Sequence, residues 1–154
     1  MLLQRTLSGR RVGSQILHYD TLGSTMDEAS VLASQGKLEG TVVIAEEQTM
    51  ARGRFGRNWV STRGQNLSLS VLLRPNHARL HYVNMAATLA VYDAVAEVTG
   101  IKPTIKWPND VRVNGRKIAG ILIETVMRAE EVTFAIVGIG INVNLDPSEF
   151  PEIA

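Results

Sequence analysis

Cysteine is absent from this chain of 154 residues, which excludes disulfides, thiolate metal ligands and a cysteine nucleophile. The chain has almost no excess of charge of either sign, since it contains 16 Lys and Arg and 15 Asp and Glu, for a net charge of +1. A general nucleic-acid binder carries a stronger basic excess. No stretch approaches the roughly 20 apolar residues of a membrane helix, and the N-terminus lacks the pattern of a signal peptide. These absences predict a soluble cytoplasmic protein that binds neither nucleic acid nor membrane.

The residues that are present favour one folded domain over residues 1–154, because 45% are hydrophobic and 20% are charged. Alternation of apolar residues and runs of β-branched residues predict strands over 15–22, 41–48, 66–74, 104–107, 111–113, 118–125 and 131–143. Asn114-Gly115 predicts a tight hairpin between two of them.

Two helices are predicted, over 25–35 and 80–98. Ser24 is a suitable N-cap for the first, with Asp27 completing a near capping box. The second has one apolar stripe at helical spacing, made of Val83, Ala87, Ala90, Ala94 and Val98. Because helices and strands do not alternate as regular βαβ units, we expect an α+β fold with helices packed on a largely antiparallel or mixed sheet.

The segment 50–59, Met-Ala-Arg-Gly-Arg-Phe-Gly-Arg-Asn-Trp, alternates two glycines with three arginines. Glycine lets a backbone approach a ligand closely, and the planar donor fork of arginine suits phosphate and carboxylate. The pattern predicts a flexible cover over a small anion. An arginine–glycine tract that binds RNA is the alternative, and the nearly neutral net charge disfavours it.

Two segments could place polar groups at the edge of a pocket. Residues 106–110, Lys-Trp-Pro-Asn-Asp, predict an extended tryptophan followed by a turn that projects two polar side chains, or a plain turn. Lys117 is predicted to share a strand face with Ala119, Ile121 and Ile123. There it could meet a carboxylate or phosphate, or it could be an exposed hairpin lysine.

Two further segments could approach a ligand closely. In 138–144, Gly-Ile-Gly-Ile-Asn-Val-Asn, the two glycines share one strand face with Asn142, and that face is nearly bare backbone. Such glycines mark close approach by a ligand, or else a bulge or tight packing against the long helix. In 23–25, Gly-Ser-Thr, two hydroxyls at a helix start could hold a polar head group, although capping alone explains Ser24.

Taken together and in this order, these segments closely resemble the catalytic domain of biotin protein ligases, the biotin–[acetyl-CoA-carboxylase] ligases. The matching segments are Gly23-Ser24-Thr25, Glu47-Gln48-Thr49, Arg52 to Trp59, Lys106 to Asp110, Arg116 to Leu122 and Gly138 to Asn144. The resemblance spans residues 17–144. It implies the class II synthetase-like α+β domain shared with lipoate ligases, without the C-terminal SH3-like domain or the N-terminal DNA-binding domain of some members.

The resemblance also implies a reaction in which ATP activates biotin to biotinyl-5′-AMP, and biotin then passes to a lysine of a biotin carboxyl carrier domain. ATP, biotin and Mg²⁺ would be bound, and the chain would be a monomer or a homodimer. A closing cover suits such chemistry, because an acyl adenylate exposed to water would hydrolyse. A biotin-binding remnant without ligase activity and a lipoate or octanoate ligase relative are the alternatives.

By position, the resemblance gives expected roles to individual residues. The biotin-binding residues would be Ser24, Thr25, Gln48, Arg52, Gly53, Arg54, Gly56, Trp59, Lys117, Gly120 and Leu122. The nucleotide-binding residues would be Arg54, Arg57, Lys117 and Asn142, with Mg²⁺ near Asn142. The catalytic residues would be Lys117, Arg54 and Asp110. Among them, Lys117 would offset negative charge as the carboxylate attacks phosphorus, and Asp110 would hold metal or take the proton of the incoming lysine.

Overall fold

The computed structural model describes residues 11–146 and residue 148. Its strands are β1 (Gln15–Leu22), β2 (Thr41–Gln48), β3 (Asn66–Leu73), β4 (Thr104–Lys106), β5 (Asp110–Val113), β6 (Arg116–Arg128) and β7 (Glu131–Asn142). Its α-helices are α1 (Thr25–Ser34) and α2 (Leu80–Thr99), and 3₁₀ turns cover Arg54–Gly56 and His77–Arg79. The predicted strands and helices are all present, and the largest difference is in β6, which extends beyond 118–125 at both ends.

The seven strands form one mixed sheet in the order β1-β2-β3-β7-β6-β5-β4. Only β1 and β2 run parallel, and the remaining neighbours are antiparallel. A parallel pair needs a crossover connection, and α1 supplies it between β1 and β2. The expected α+β fold with helices packed on a mixed sheet is therefore confirmed.

Helix α1 packs on one face of the sheet. Met26 and Leu32 of the helix are buried in a cluster with Val43, Leu72 and Ile136, which lie on β2, β3 and β7. Because side chains alternate along a strand, the even-numbered residues of β7 that follow Ile136 also point to this α1 face. Gly138 and Gly140 are among them, so the predicted bare strip lies on the same side as α1.

Helix α2 packs on the opposite face. Val91 is buried there against a cluster that includes Val71, Ile121 and Val137. The two helices thus cover opposite faces of the sheet. The odd-numbered side chains of β7 point to α2, whereas Gly138 and Gly140 lie on the other face, away from the long helix.

The predicted stripe of α2 is wrong in part. Val83 and Ala87 pack on the core as expected, but Ala90, Ala94 and Val98 are exposed. The buried side of the helix is instead rotated towards Asn84, Thr88 and Val91. The series Val83, Ala87, Val91 and Val95, spaced four residues apart, packs on the sheet. Beside it, Asn84 Nδ2 and Thr88 Oγ1 both donate to the carbonyl of Pro108, at 2.7 and 3.0 Å. Within the described part of the chain, neither helix is long and apolar enough to cross a bilayer.

Candidate functional site

A cavity of about 580 Å³ lies on the α1 face of the sheet, where β6 and β7 form its floor. Ligand pockets typically have volumes of this order. The cavity brings together thirteen of the fourteen predicted site residues: Ser24, Thr25, Gln48, Arg52, Gly53, Arg54, Arg57, Trp59, Asp110, Lys117, Gly120, Leu122 and Asn142. Gly56 is the exception, since it lies at the exposed tip of the segment 50–59. Residues more than one hundred positions apart in the chain thus converge on one pocket.

Three glycines, Gly120 of β6 with Gly138 and Gly140 of β7, leave a strip of nearly bare backbone that we call the bare strip. Side chains of the protein itself cover it. A Cβ placed on Gly140 would lie 2.6 Å from Trp59 Cε2, and one placed on Gly120 would lie 3.0 Å from Trp59 Cζ3. A Cβ on Gly138 would lie 2.5 Å from Met26 Sδ. The glycines therefore make room for an indole ring and a thioether that form part of the cavity wall. The alternative interpretation, tight packing of these glycines against the long helix, is therefore wrong, since Trp59 and Met26 are the residues that pack on them.

Lys117 reaches the cavity because β6 contains a bulge. Val111 pairs with Ala119 and Arg112 pairs with Lys117, so Ile118 is an extra residue without an opposite partner. A bulge re-aims the side chains that precede it. The prediction that Lys117 shares a face with Ala119, Ile121 and Ile123 is therefore wrong. Ala119 and Ile121 point into the α2 core, whereas the Lys117 side chain lies beside Gly120 in the cavity.

In the cavity, Lys117 Nζ lies 2.8 Å from Asp110 Oδ1. It also lies 5.4 Å from the centre of the Trp59 ring. The register places Asp110 directly opposite Gly120, so the carboxylate and the ammonium meet over the bare strip. A neighbouring carboxylate and an aromatic face both hold an ammonium in place.

Asn109 is a cavity residue that the sequence-based assignment left without a role. Its Oδ1 accepts a hydrogen bond of 2.7 Å from Arg54 Nη1, and its Nδ2 donates to the carbonyl of Ile121 at 3.2 Å. The preceding carbonyl, of Pro108, is held by α2. Residues 108–110 are thus a braced support for Arg54 and Lys117 rather than a plain turn.

Ser24 and Thr25 are nearly fully buried at the start of α1. The Ser24 hydroxyl accepts from Met26 N at 3.2 Å, as the predicted N-cap requires. The Thr25 backbone N–H and hydroxyl both donate to Gln48 Oε1, at 2.8 and 3.1 Å. Because a backbone N–H can only donate, the Gln48 oxygen is fixed towards Thr25 and its amide nitrogen is left as the donor for a ligand.

Arg52 is held between two carboxylates, an arrangement that we call the Arg52 clasp. Arg52 Nη2 donates to Asp27 Oδ1 and to Glu124 Oε2, both at 2.8 Å, and Nε donates to Glu124 Oε1 at 2.9 Å. The hydrogen bonds to Glu124 and Asp27 raise the pKa of Arg52 above its ordinary value. Asp27 therefore does not complete a capping box. Arg52 lines the cavity, but only Nη1 extends towards Ser24, at 3.4 Å.

The segment 50–59 closes on itself as an irregular hairpin over the cavity. Arg52 and Asn58 form an isolated antiparallel bridge, and Gly53 N donates to the carbonyl of Arg57 at 2.7 Å. Phe55 at the tip is 86% exposed and has a φ of 60°. The segment 50–59 is therefore anchored at its base by the Arg52 clasp and near its tip by the bond from Arg54 to Asn109.

Asn142 closes the far end of the strip. Its Oδ1 accepts a hydrogen bond of 2.8 Å from Asn66 Nδ2, and the two residues are direct partners in the β3–β7 ladder. Asn66 is a further residue that the sequence-based assignment missed. Only the pairing register reveals it, because 76 positions separate it from Asn142.

The electrostatic character of the cavity is positive. Arg52, Arg54, Arg57 and Lys117 line it, and Asp110 is the one carboxylate lining it within residues 11–146 and 148. Mg²⁺ is usually held by one or two carboxylates together with substrate phosphates, and Asp110 fits that role only beside a bound polyphosphate. No cluster of three or more His, Asp or Glu residues occurs in the described part of the chain. The arrangement suits an anionic ligand that is partly apolar.

Comparison with known proteins agrees with this arrangement. Residues 20–142 match the model of the biotin/lipoate A/B protein ligase family. The chain is 40% identical over 143 residues to the bifunctional ligase/repressor BirA of Bacillus subtilis, covering 92% of this chain and 44% of that protein. It is 39% identical over 134 residues to the biotin–[acetyl-CoA-carboxylase] ligase of Mycobacterium tuberculosis, covering 82% of this chain and 48% of that protein.

Solved structures give the same result. The biotin protein ligase of Aquifex aeolicus in complex with biotin and ATP superposes with a TM-score of 0.73 at 34% identity, covering 91% of this chain and 58% of that one. The biotin protein ligase of Leishmania major in complex with biotinyl-5-AMP gives 0.74 at 30% identity, covering 86% and 59%. The chain spans about half of the length of the two relatives compared by sequence.

Proposed function

From the premise that this chain belongs to the biotin/lipoate A/B protein ligase family, we propose that it carries the catalytic site of a biotin–[acetyl-CoA-carboxylase] ligase. A carboxylate oxygen of biotin attacks the α-phosphorus of ATP, so that a mixed anhydride forms and pyrophosphate leaves. The ε-amine of a lysine on a biotin carboxyl carrier domain then attacks the acyl carbon, and AMP leaves. The substrates named with the Aquifex and Leishmania proteins, biotin with ATP and biotinyl-5-AMP, support this choice.

The observation that carries the proposal is the position of Lys117. The bulge in β6 brings its ammonium onto the strip left bare by Gly120 and Gly140, beside Trp59 and Asp110. The Trp59 ring fills the space beside these glycines, so a carboxylate and a phosphate would meet over the cavity side of that ring, within reach of the ammonium. Both are anions, so their reaction needs a fixed cation between them, and preorganised charge of this kind is typically the largest contribution to catalysis. Lys117 would stabilise the charge that develops at the α-phosphate.

Asp110 would hold Lys117 in place until the substrates bind. Once the biotin carboxylate arrives, it can take over Lys117 as partner, and Asp110 is then able to receive a proton from the incoming lysine or to bind Mg²⁺ carried by ATP. A carboxylate so close to the reacting groups suits either task.

The ureido ring of biotin would lie at the opposite end, near the start of α1. That ring has N–H donors and a carbonyl acceptor, so it needs both kinds of partner. The Gln48 amide nitrogen, on a half-buried side chain, would donate to the ring carbonyl, and the nearly buried Ser24 hydroxyl would accept from a ring N–H. The Thr25 bonds to Gln48 fix that amide. Arg52 would close this end of the cavity through the Arg52 clasp, and Gly120 and Leu122 would form the channel floor.

The segment 50–59 would cover the acyl adenylate. Gly53 and Gly56 give the cover its backbone freedom, while Arg54 and Arg57 would face the phosphate. Trp59, whose buried indole N–H has no partner within the described residues, would complete the wall against the nucleotide. Excluding water here protects the mixed anhydride from hydrolysis. Asn142 would bind the nucleotide at the far end, and Mg²⁺ would enter with its phosphates.

Transfer of labelled biotin to a biotin carboxyl carrier domain tests this function directly. The chain is incubated with biotin, ATP and Mg²⁺, and label on the carrier is followed with time, with omission of ATP as the control. Labelled carrier that depends on ATP is the expected result. Biotin binding without pyrophosphate exchange would show a binding remnant instead, and preferential use of lipoate in direct competition would show a lipoate ligase.

A further inference from the structure

We infer that Asn66 is a positioning residue, which fixes the Asn142 side chain so that its amide nitrogen, and not its oxygen, is presented to the bound nucleotide. The inference rests on the proposed function, since it assigns the nucleotide end of the same cavity. Asn66 itself does not line the cavity.

The orientation follows from a chain of hydrogen bonds that begins at a backbone group. The Thr62 backbone N–H donates to Asn66 Oδ1 at 2.7 Å. A backbone N–H cannot accept, so the oxygen of the Asn66 amide must be the atom that faces Thr62. The Asn66 nitrogen is then the atom that faces Asn142, at 2.8 Å. Only an oxygen can accept there, and the Asn142 nitrogen is consequently turned away from Asn66.

The backbone around this chain of bonds is firmly held. Gln65 N donates to the carbonyl of Thr62 at 3.0 Å, and the carbonyl of Gln65 accepts from both Val143 N and Asn144 N, at 2.9 and 3.0 Å. The turn before β3 and the end of β7 therefore cannot slide past each other without breaking several bonds. The orientation of the Asn142 amide is fixed in advance of any ligand.

The free nitrogen of Asn142 belongs to the cavity. Asn142 lies on the same strand face as Gly138 and Gly140 and lines the pocket with them. Within the described part of the chain, its Nδ2 donates to no protein atom, whereas its Oδ1 is engaged by Asn66. An N–H group in this place suits an acceptor atom of the nucleotide. A direct bond from the oxygen to Mg²⁺ would compete with the bond from Asn66.

Two substitutions separate orientation from contact. In Asn142→Asp, one carboxylate oxygen accepts from Asn66 and the other faces the nucleotide as a second acceptor. In Asn66→Asp, one oxygen accepts from Thr62 and the other requires a donor, so Asn142 must rotate and turn its own oxygen into the cavity. Both variants replace a donor by an acceptor at the nucleotide, although only one of them changes a cavity residue.

The measurement is calorimetric binding of α,β-methylene-ATP, which cannot lose pyrophosphate, to the 154-residue chain with saturating biotin. Exchanging a donor for an acceptor at a charged ligand is expected to weaken binding about tenfold or more in both variants. Biotin affinity, measured separately, should change less than about twofold because Asn66 is at the other end of the cavity. Asn144→Asp controls for added charge, since its amide nitrogen donates to the carbonyl of Gly64 instead.

The outcomes are distinct. Weaker nucleotide binding in Asn66→Asp with unchanged biotin binding supports the inference. Tighter, Mg²⁺-dependent nucleotide binding in Asn142→Asp overturns it, because that result would show an oxygen at position 142 bound to the metal. Unchanged nucleotide affinity in Asn66→Asp also overturns it. If Asn66→Asp unfolds at assay temperature, Asn66→Ala serves, because it releases Asn142 and should give a smaller loss in the same direction. A wild-type chain that binds neither biotin nor nucleotide would instead reject the proposed function.

Discussion

Replacing Gly140 by alanine should displace Trp59 from the cavity floor. The new Cβ would lie 2.6, 2.7 and 2.7 Å from three atoms of the indole ring, and ordinary van der Waals contact begins only at 3.4 Å. To restore ordinary contact the ring would have to retreat by about 0.8 Å, the difference between 3.4 and 2.6 Å. An indole is rigid and cannot bend away, and β7 is paired on both sides, with β3 and β6.

The expected cost follows from overpacking, which destabilises a close-packed contact by about 1–3 kcal/mol. If that cost falls on the state in which Trp59 is docked, the docked population decreases by about 5- to 150-fold relative to the undocked state. Nucleotide affinity should decrease by a similar factor, because Trp59 forms the wall on that side of the proposed site.

Tryptophan fluorescence provides the assay, since the chain has two tryptophans and Trp107→Phe leaves Trp59 as the sole emitter. In that background, Gly140→Ala should shift Trp59 emission to the red and increase its quenching by acrylamide. Gly138→Ala is the matched control. Its Cβ would meet Met26 Sδ at 2.5 Å and Cγ at 2.9 Å, so its strain falls on an adaptable thioether side chain and not on Trp59. An unshifted spectrum in Gly140→Ala, or an equal shift in both variants, would refute the account of the strip.

Three further predictions concern the charged groups of the cavity. Lys117→Ala should abolish adenylate formation in ATP–pyrophosphate exchange; wild-type exchange in this variant would remove the main catalytic assignment. Biotin with ATP should protect the segment 50–59 from protease, and cleavage at the rate of the free protein would count against a cover. Glu124→Gln should loosen the Arg52 clasp and speed proteolysis of that segment severalfold without ligand, whereas Glu130→Gln, an exposed control, should not. Equal rates in the two glutamine variants would argue that the clasp does not hold the cover.

The fold could be predicted largely because its periodicities are local. Alternation along β3 and the Asn114-Gly115 hairpin each depend on neighbours in the chain, and both are present in the structure. The stripe of α2 was predicted less well. Two apolar series share Val83 and Ala87. The series that continues through Val91 and Val95 is buried, whereas Ala90, Ala94 and Val98 are exposed. The bonds from Asn84 and Thr88 to Pro108 lie beside the buried series, and apolar spacing does not report them.

The same distinction applies to the site. Thirteen of the fourteen predicted site residues line the cavity, and Gly56 is the exception. They could be named because the resemblance carries each role to a position in a recognisable motif. Their partners were not predicted. Ile118 as a bulge residue, Asn66 as the partner of Asn142 and Glu124 as the partner of Arg52 all depend on strand register or on packing between segments. Register is set by the whole sheet, so these contacts become visible only in three dimensions.

The place of β7 in the sheet has a consequence for how the protein acquires its site during synthesis. Among the seven strands of the described sheet, β7 comes last in sequence but fourth in space, and it pairs Asn142 with Asn66 across 76 positions. Pairings between segments so far apart close large loops and form slowly. A nascent chain that has emerged from the ribosome only as far as β6 has Lys117 and the segment 50–59 but lacks the half of the cavity floor that β7 supplies. Ligand binding during translation should therefore begin only after β7 has emerged, which makes the central strand the step that commits the chain to a competent pocket.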